Sequence, residues 1–165
     1  MCIFRHKILP VLAVFLLSAS YAFAKAPIAG NKAPDFSLVA VDGQSVKLSD
    51  LRGKVVLIGM FHICVPCRNQ AMEFNRVRKK INSDQLVILG INTSGDSKGA
   101  VLKYLGGFPE PVSFPYLLDP GMSVHKNYVQ RDMPTVLIID REGVLIARTP
   151  GVGADQLVPY LKKLL

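Results

Sequence analysis

The sequence predicts an α/β sandwich on a mixed β-sheet, opened at its N-terminal end by a β-hairpin. Three observations carry that prediction. Apolar, β-branched runs at residues 55–61, 86–91 and 135–140 suit strands buried on both faces. Segments of helical periodicity lie between and after them, an alternation that builds layered α/β domains. The pair Asp42-Gly43 stands between two short stretches of alternating character, the strongest short-range sign of a hairpin. With 165 residues, half of them hydrophobic and 19% charged, the chain fits one globular domain of ordinary size.

The first 24 residues stand apart from that domain. Arg5 and Lys7 precede a ten-residue apolar run at 8–17, and Ala22-Phe23-Ala24 offers small residues at the spacing of a cleavage site. These are the three parts of a secretory signal, with cleavage expected after Ala24. A spanning helix needs ~20 apolar residues, so the leader is read as removed rather than kept as an anchor. The protein is therefore expected in the periplasm or otherwise exported, with membrane attachment only if the leader stays. Cys2 lies ahead of the apolar run and is discarded with it. Residues 25–32 then form a flexible lead-in, and residues 33–165 the folded domain.

Taken in order, residues 36–41 make the first hairpin strand and residues 44–48 the second. Residues 55–61 form a central strand that runs into Cys64. Pro66 suits the first turn of a helix, where its missing donor is not used, and Met72, Phe74, Val77 and Ile81 extend the helical spacing to about residue 82. A second central strand at 86–91 leads to a helix over 97–105 with Ser97 as its cap. The Gly- and Pro-rich stretch from Gly106 to Pro111 breaks regular structure. The segment after it, with a short extended piece at 115–118 and a helical turn at 124–128, reads as a surface insertion. The third central strand, a turn at Arg141-Glu142-Gly143, an answering strand at 144–148 and an amphipathic helix over 156–165 complete the chain.

Without the leader the chain keeps 18 basic and 12 acidic side chains, a net charge of +6. The basic residues are scattered. Their one cluster, Arg76, Arg78, Lys79 and Lys80, falls at the end of the predicted helix, where cations suit the helix dipole and face water. No nucleic-acid partner is expected.

The cysteines are more telling, because the mature chain keeps only Cys64 and Cys67, in the order Cys-Val-Pro-Cys. A bridge closing so small a ring constrains the unfolded chain by only ~2 kcal/mol, against ~3 for a fifteen-residue loop, so it is a poor staple. At the start of a helix the free amide N–H groups and the dipole favour an anion, which makes Cys64 the expected thiolate and nucleophile. Cys67, one turn further in, is placed to resolve the mixed disulfide that Cys64 forms. A structural zinc site is disfavoured, since only His62 and His125 join the two cysteines and their spacing is not that of a zinc finger. No metal ligand and no cofactor beyond the Cys64–Cys67 couple is assigned. Two alternatives stay open: a Cu(I)-binding assembly factor using the same thiols, with or without His62, and a thiol peroxidase, for which Phe61-His62-Ile63 before Cys64 lacks the usual Pro…Thr…Cys order.

From about Asn31 to Leu165 the chain resembles the TlpA-like and ResA-like thioredoxin-fold family of exported reductases, within the wider AhpC/TSA-redoxin group. Ala33-Pro34-Asp35-Phe36, Asp42-Gly43, the run from Leu48 to Lys54, Cys-Val-Pro-Cys-Arg at 64–68 and Met133-Pro134-Thr135 occur in the family's order. The resemblance implies a thioredoxin-like α/β/α sandwich and a protein-disulfide reductase, with cytochrome c maturation or copper-site assembly as settings. It implies protein thiols and disulfides as substrates and an extracytoplasmic electron donor, such as a membrane thiol reductase. It also implies a cis Met133–Pro134 bond whose loop receives a substrate peptide beside Cys64. Three departures accompany it. His62-Ile63 replaces an aromatic-Trp pair, Gln70 stands where many members carry Glu, and no acid lies in residues 55–61. Cys67 is therefore expected to be less strongly activated than in relatives, with His62, Pro66 and Gln70 as candidate modulators. Glu73 is expected to face away from the cysteines, and His125 to be unrelated to the site.

Overall fold

The computed structural model describes residues 26–165, so the expected leader and its cleavage point lie outside the described residues. Seven strands form one sheet: β1 (Ser37–Ala40), β2 (Ser45–Lys47), β3 (Val55–Phe61), β4 (Leu86–Asn92), β5 (Tyr116–Leu118), β6 (Thr135–Ile139) and β7 (Leu145–Thr149). Four helices accompany them: α1 (Val65–Lys80), α2 (Lys98–Gly106), α3 (Ser123–Asn127) and α4 (Ala154–Lys162). The strand order is β2-β1-β5-β4-β3-β6-β7. β3 runs parallel to β4 and antiparallel to β6, and β4 runs parallel to β5, so the sheet is mixed as the sequence predicts.

Every residue of β3 is buried, and the alternation of its side chains divides the core in two. Val55, Leu57 and Phe61 pack with Phe74 and Val77 of α1 and Leu157 and Leu161 of α4. Val56, Ile58 and Met60 pack with the hairpin residues Leu38 and Val46, with Val124 of α3 and with Tyr128. Layers on both faces explain why the strand reads as an unbroken apolar run. Gly59 interrupts that run for a reason of space, because a Cβ there would fall inside the ring of Phe61. Its absence lets Phe61 lie between Phe74 and Tyr116, with ring centroids 5.8 Å and 6.0 Å away.

Two expectations are corrected. The second hairpin strand stops at Lys47, and Leu48–Leu51 turns as a 3-10 helix that buries Leu48. The stretch after Pro111 is no surface insertion. Tyr116–Leu118 pairs antiparallel with β1 and parallel with β4, and so joins the hairpin to the central strands. Its three residues are too few to show a period, and burial of Tyr116 and Leu117 supplies what propensity does not. Helix boundaries elsewhere shift by up to three residues, and Ser97 caps α2 as expected, accepting from the Ala100 amide at 3.3 Å.

Candidate active site around Cys64 and Cys67

β3 ends in the core, and the chain needs only His62 and Ile63 to reach the first turn of α1. Cys64 is the N-cap of that helix, with extended backbone, and its Sγ accepts the Cys67 amide at 3.2 Å. Pro66 occupies the first turn. Both cysteines are free thiols, but their surroundings differ. Cys64 is half-buried, whereas Cys67 is sealed, with 1% of its surface exposed. The Cys67 thiol is pushed up to about 12, first by burial and then by the neighbouring Cys64, although the His62 amide, donating to its Sγ at 3.3 Å, opposes this. One thiol is therefore reachable, and the other keeps its proton.

On one flank lies the Met133–Pro134 peptide, which is cis, with Met133 exposed. Pro134, Pro66, Asn69, Gln70, Glu73 and the loop at 151–153 line a groove of about 400 Å³. Gln70 is not a solvent-facing group in it. Its buried amide donates from Nε2 to the Val152 carbonyl at 2.8 Å and accepts the Val152 N–H on Oε1 at 2.7 Å, clamping the loop to α1. Glu73 faces the same loop: its carboxylate accepts the Ala154 amide at 2.9 Å and pairs with Arg76.

The other flank contains a residue that sequence reasoning missed. The Tyr104 hydroxyl, from α2, donates to the Cys64 carbonyl at 2.6 Å, on the same oxygen that receives the Arg68 amide at 3.1 Å. Burial pushes the phenol up to about 12, so it stays a donor, and an edge-on contact with Phe108 at 4.8 Å fixes its ring. Forty positions separate Tyr104 from Cys64, and no local pattern marks it.

Behind the cysteines, the rings of His62 and His125 lie 6.2 Å apart, which places His125 beside a residue flanking the site and not away from it. His125 Nδ1 is 3.3 Å from Gln130 Oε1, which also accepts from Thr93 at 2.6 Å, while Gln130 Nε2 donates to the Met60 carbonyl. His62 Nε2 is buried without a hydrogen-bond partner. Burial lowers the His62 imidazole below its usual range, His125 adds to this, and Asp96 opposes it. The neutral form is thus favoured in the fold. The unfolded chain takes up that proton first as pH falls, so stability is lost below about pH 6.5. Urea midpoints compared between about pH 7.5 and about pH 5.5 are expected to drop less in His62→Gln than in the native chain. Equal drops would show that His62 carries none of this loss.

Known proteins share this arrangement of elements. The chain matches the family described as Redoxin over residues 28–165. It is 28% identical over 156 residues to the thiol-disulfide oxidoreductase ResA of Bacillus subtilis, covering 90% of this chain and 86% of that one. The structure of a thiol:disulfide interchange protein DsbE from Chlorobium tepidum superposes with a TM-score of 0.72 at 28% identity, covering 84% of this chain and 96% of that one. The exposed lipoprotein thioredoxin of Streptococcus pneumoniae gives 0.67 at 27% identity, over 79% of this chain and 100% of its own. With a match across nearly the whole described domain, the chain belongs to the redoxin family, in its TlpA-like and ResA-like thioredoxin-fold group.

Proposed function

We propose that this thiol–disulfide oxidoreductase reduces protein disulfides outside the cytoplasm, with Cys64 as the attacking thiol and Cys67 as the resolving one. The observation that carries the reading is the asymmetry of the pair: Cys64 is accessible at a helix start with its sulfur bonded to an amide, and Cys67 is buried one turn on. The Cys64 thiolate attacks one sulfur of a substrate disulfide, the substrate S–S bond breaks, and the leaving sulfur departs with the electron pair and takes up a proton. Cys67 then gives up its proton and attacks Cys64 Sγ, which releases the substrate as a dithiol and leaves the Cys64–Cys67 disulfide. A dithiol donor on the same side of the membrane returns two electrons and two protons.

The exposed Met133 and the neighbouring Pro134 support a substrate segment lying extended along this loop. The leader at residues 1–24 supports export to the periplasm. Cytochrome c maturation and copper-site assembly, both of which need reduced cysteine pairs, are settings that suit such an activity.

The test pairs two measurements. Cys67→Ala is expected to hold substrates as mixed disulfides on Cys64, which the native chain releases. The Cys64–Cys67 couple is expected near the reducing end of the thioredoxin range, about −270 mV, and a value near about −120 mV would make the protein an oxidant and overturn the direction proposed.

A further inference from the structure

Ile63, Cys64, Val65, Arg68 and Tyr104 line a depression of about 290 Å³, separate from the groove that contains Pro134. Three of its walls meet at one atom, the Cys64 carbonyl oxygen, which receives both the Arg68 amide and the Tyr104 hydroxyl. Its position relative to the attacking thiol is therefore fixed. Ile63 and Val65, 42% and 59% exposed, give it an apolar rim beside Cys64.

Arg68 is the only charged residue lining the depression. Among the described residues its guanidinium makes neither an ion pair nor a side-chain hydrogen bond. By contrast Arg76 pairs with Glu73, Arg78 donates to the Leu86 carbonyl, and Arg148 donates to the Val129 carbonyl. A half-buried cation without a protein partner, one helical turn from the nucleophile, is placed to receive a carboxylate.

We infer that this depression is a specificity pocket for a protein substrate carrying Asp or Glu next to the cysteine that Cys64 attacks, with Arg68 binding the carboxylate. The inference rests on the disulfide-exchange reading above and adds a substrate class to it. Adjacency follows from geometry, because Cys64 and Arg68 stand four residues apart, about 6 Å along the axis, so a carboxylate far along the substrate does not reach Arg68 while the substrate cysteine meets Cys64. The pocket has room for one side chain. Apolar contact with Ile63 and Val65 suits the stem of that side chain, and the Arg68 guanidinium its head.

The experiment uses the reduced native protein and two peptides that differ only in having Asp or Asn beside a single cysteine blocked with thionitrobenzoate. Cys64 Sγ attacks the peptide sulfur, the bond to thionitrobenzoate breaks, and the coloured thiolate leaves with the electron pair. Each rate is divided by that of the same peptide with dithiothreitol, which removes the peptide's own reactivity. The native protein is expected to favour the Asp peptide about fivefold, the factor one exposed ion pair supplies, and less as salt is added. Arg68→Gln is expected to bring the ratio to about one, Arg68→Lys to keep most of it and Arg68→Glu to invert it. Because each ratio compares two peptides on one preparation, a fall in folded fraction cancels. Equal rates in the native protein, or a preference that survives in Arg68→Gln, would overturn the pocket while leaving disulfide exchange intact. Release from neither peptide would overturn both.

Discussion

Replacing Gln70 by Glu is expected to destabilise the folded protein by roughly 3 kcal/mol at neutral pH, although the change is isosteric and installs the residue that the family resemblance implies at this position. Gln70 is 4% exposed and uses both ends of its amide on Val152, donating at 2.8 Å and accepting at 2.7 Å. A carboxylate keeps the acceptor and loses the donor, so one of its oxygens faces the Val152 carbonyl and a charge is buried without a cation. Protonating that carboxyl restores a donor. The folded state of the variant therefore favours the neutral acid and raises its pKa, so the variant loses stability as pH rises through the carboxylate range and recovers part of it on acidification. Urea midpoints of the two chains at about pH 7 and about pH 4.5 check this, the gap narrowing at the lower value. Equal midpoints at neutral pH would show that the two hydrogen bonds do not hold the loop.

This gives Gln70 a different meaning from the one its sequence position suggests. Measured against the family pattern, Gln70 marks a missing acid that would otherwise move the proton of Cys67. In the fold its side chain is committed to Val152, and the loop it clamps is a wall of the groove beside Pro134. A Cβ on Gly151 would meet Gln70 Oε1 at 3.2 Å and Pro134 Cγ at 3.5 Å, so clamp, loop and proline are in contact.

The parts of the structure legible in the sequence are those in which many residues report one fact. Six apolar side chains in the seven residues of β3 announce a strand buried on both faces, and the Cys-Val-Pro-Cys order followed by Met133-Pro134 announces the reacting centre. Single polar contacts across long separations leave no such record. Tyr104 reaches Cys64 across 40 positions and Gln70 reaches Val152 across 82, each through one side chain whose partner no neighbouring residue marks. His125 is obscured for the same reason: its place beside His62 depends on β5 joining the sheet, and three residues give no period from which to read that pairing.

The largest kinetic effect is expected in the second half of the exchange, where release of the substrate by Cys67 should accelerate about tenfold per pH unit from about pH 7 to about pH 9. The nucleophile in that step is the Cys67 thiolate, and burial, the leading cause of its shift to about 12, persists when Cys64 is tied up in a mixed disulfide. The thiolate fraction then grows in proportion to hydroxide over the whole interval. The mixed disulfide removes the contributions of a free Cys64 sulfur, but burial by itself holds the thiol above its ordinary value of 9.0, the upper limit of that interval, so most of the slope survives their loss. The same displacement sets a stability trend. A thiol whose folded pKa is raised holds its proton longer in the native state than in the unfolded chain, so the reduced protein keeps this contribution below about pH 9 and loses it between there and about pH 12. Single-turnover mixing of a preformed Cys64 mixed disulfide, followed by release of the substrate thiol, measures the rate directly. A rate independent of pH over the interval would mean that Cys67 loses its proton to a group in the protein before it attacks. The described neighbours of its sulfur, the His62 amide and Cys64, offer no base for that purpose once Cys64 is in the mixed disulfide.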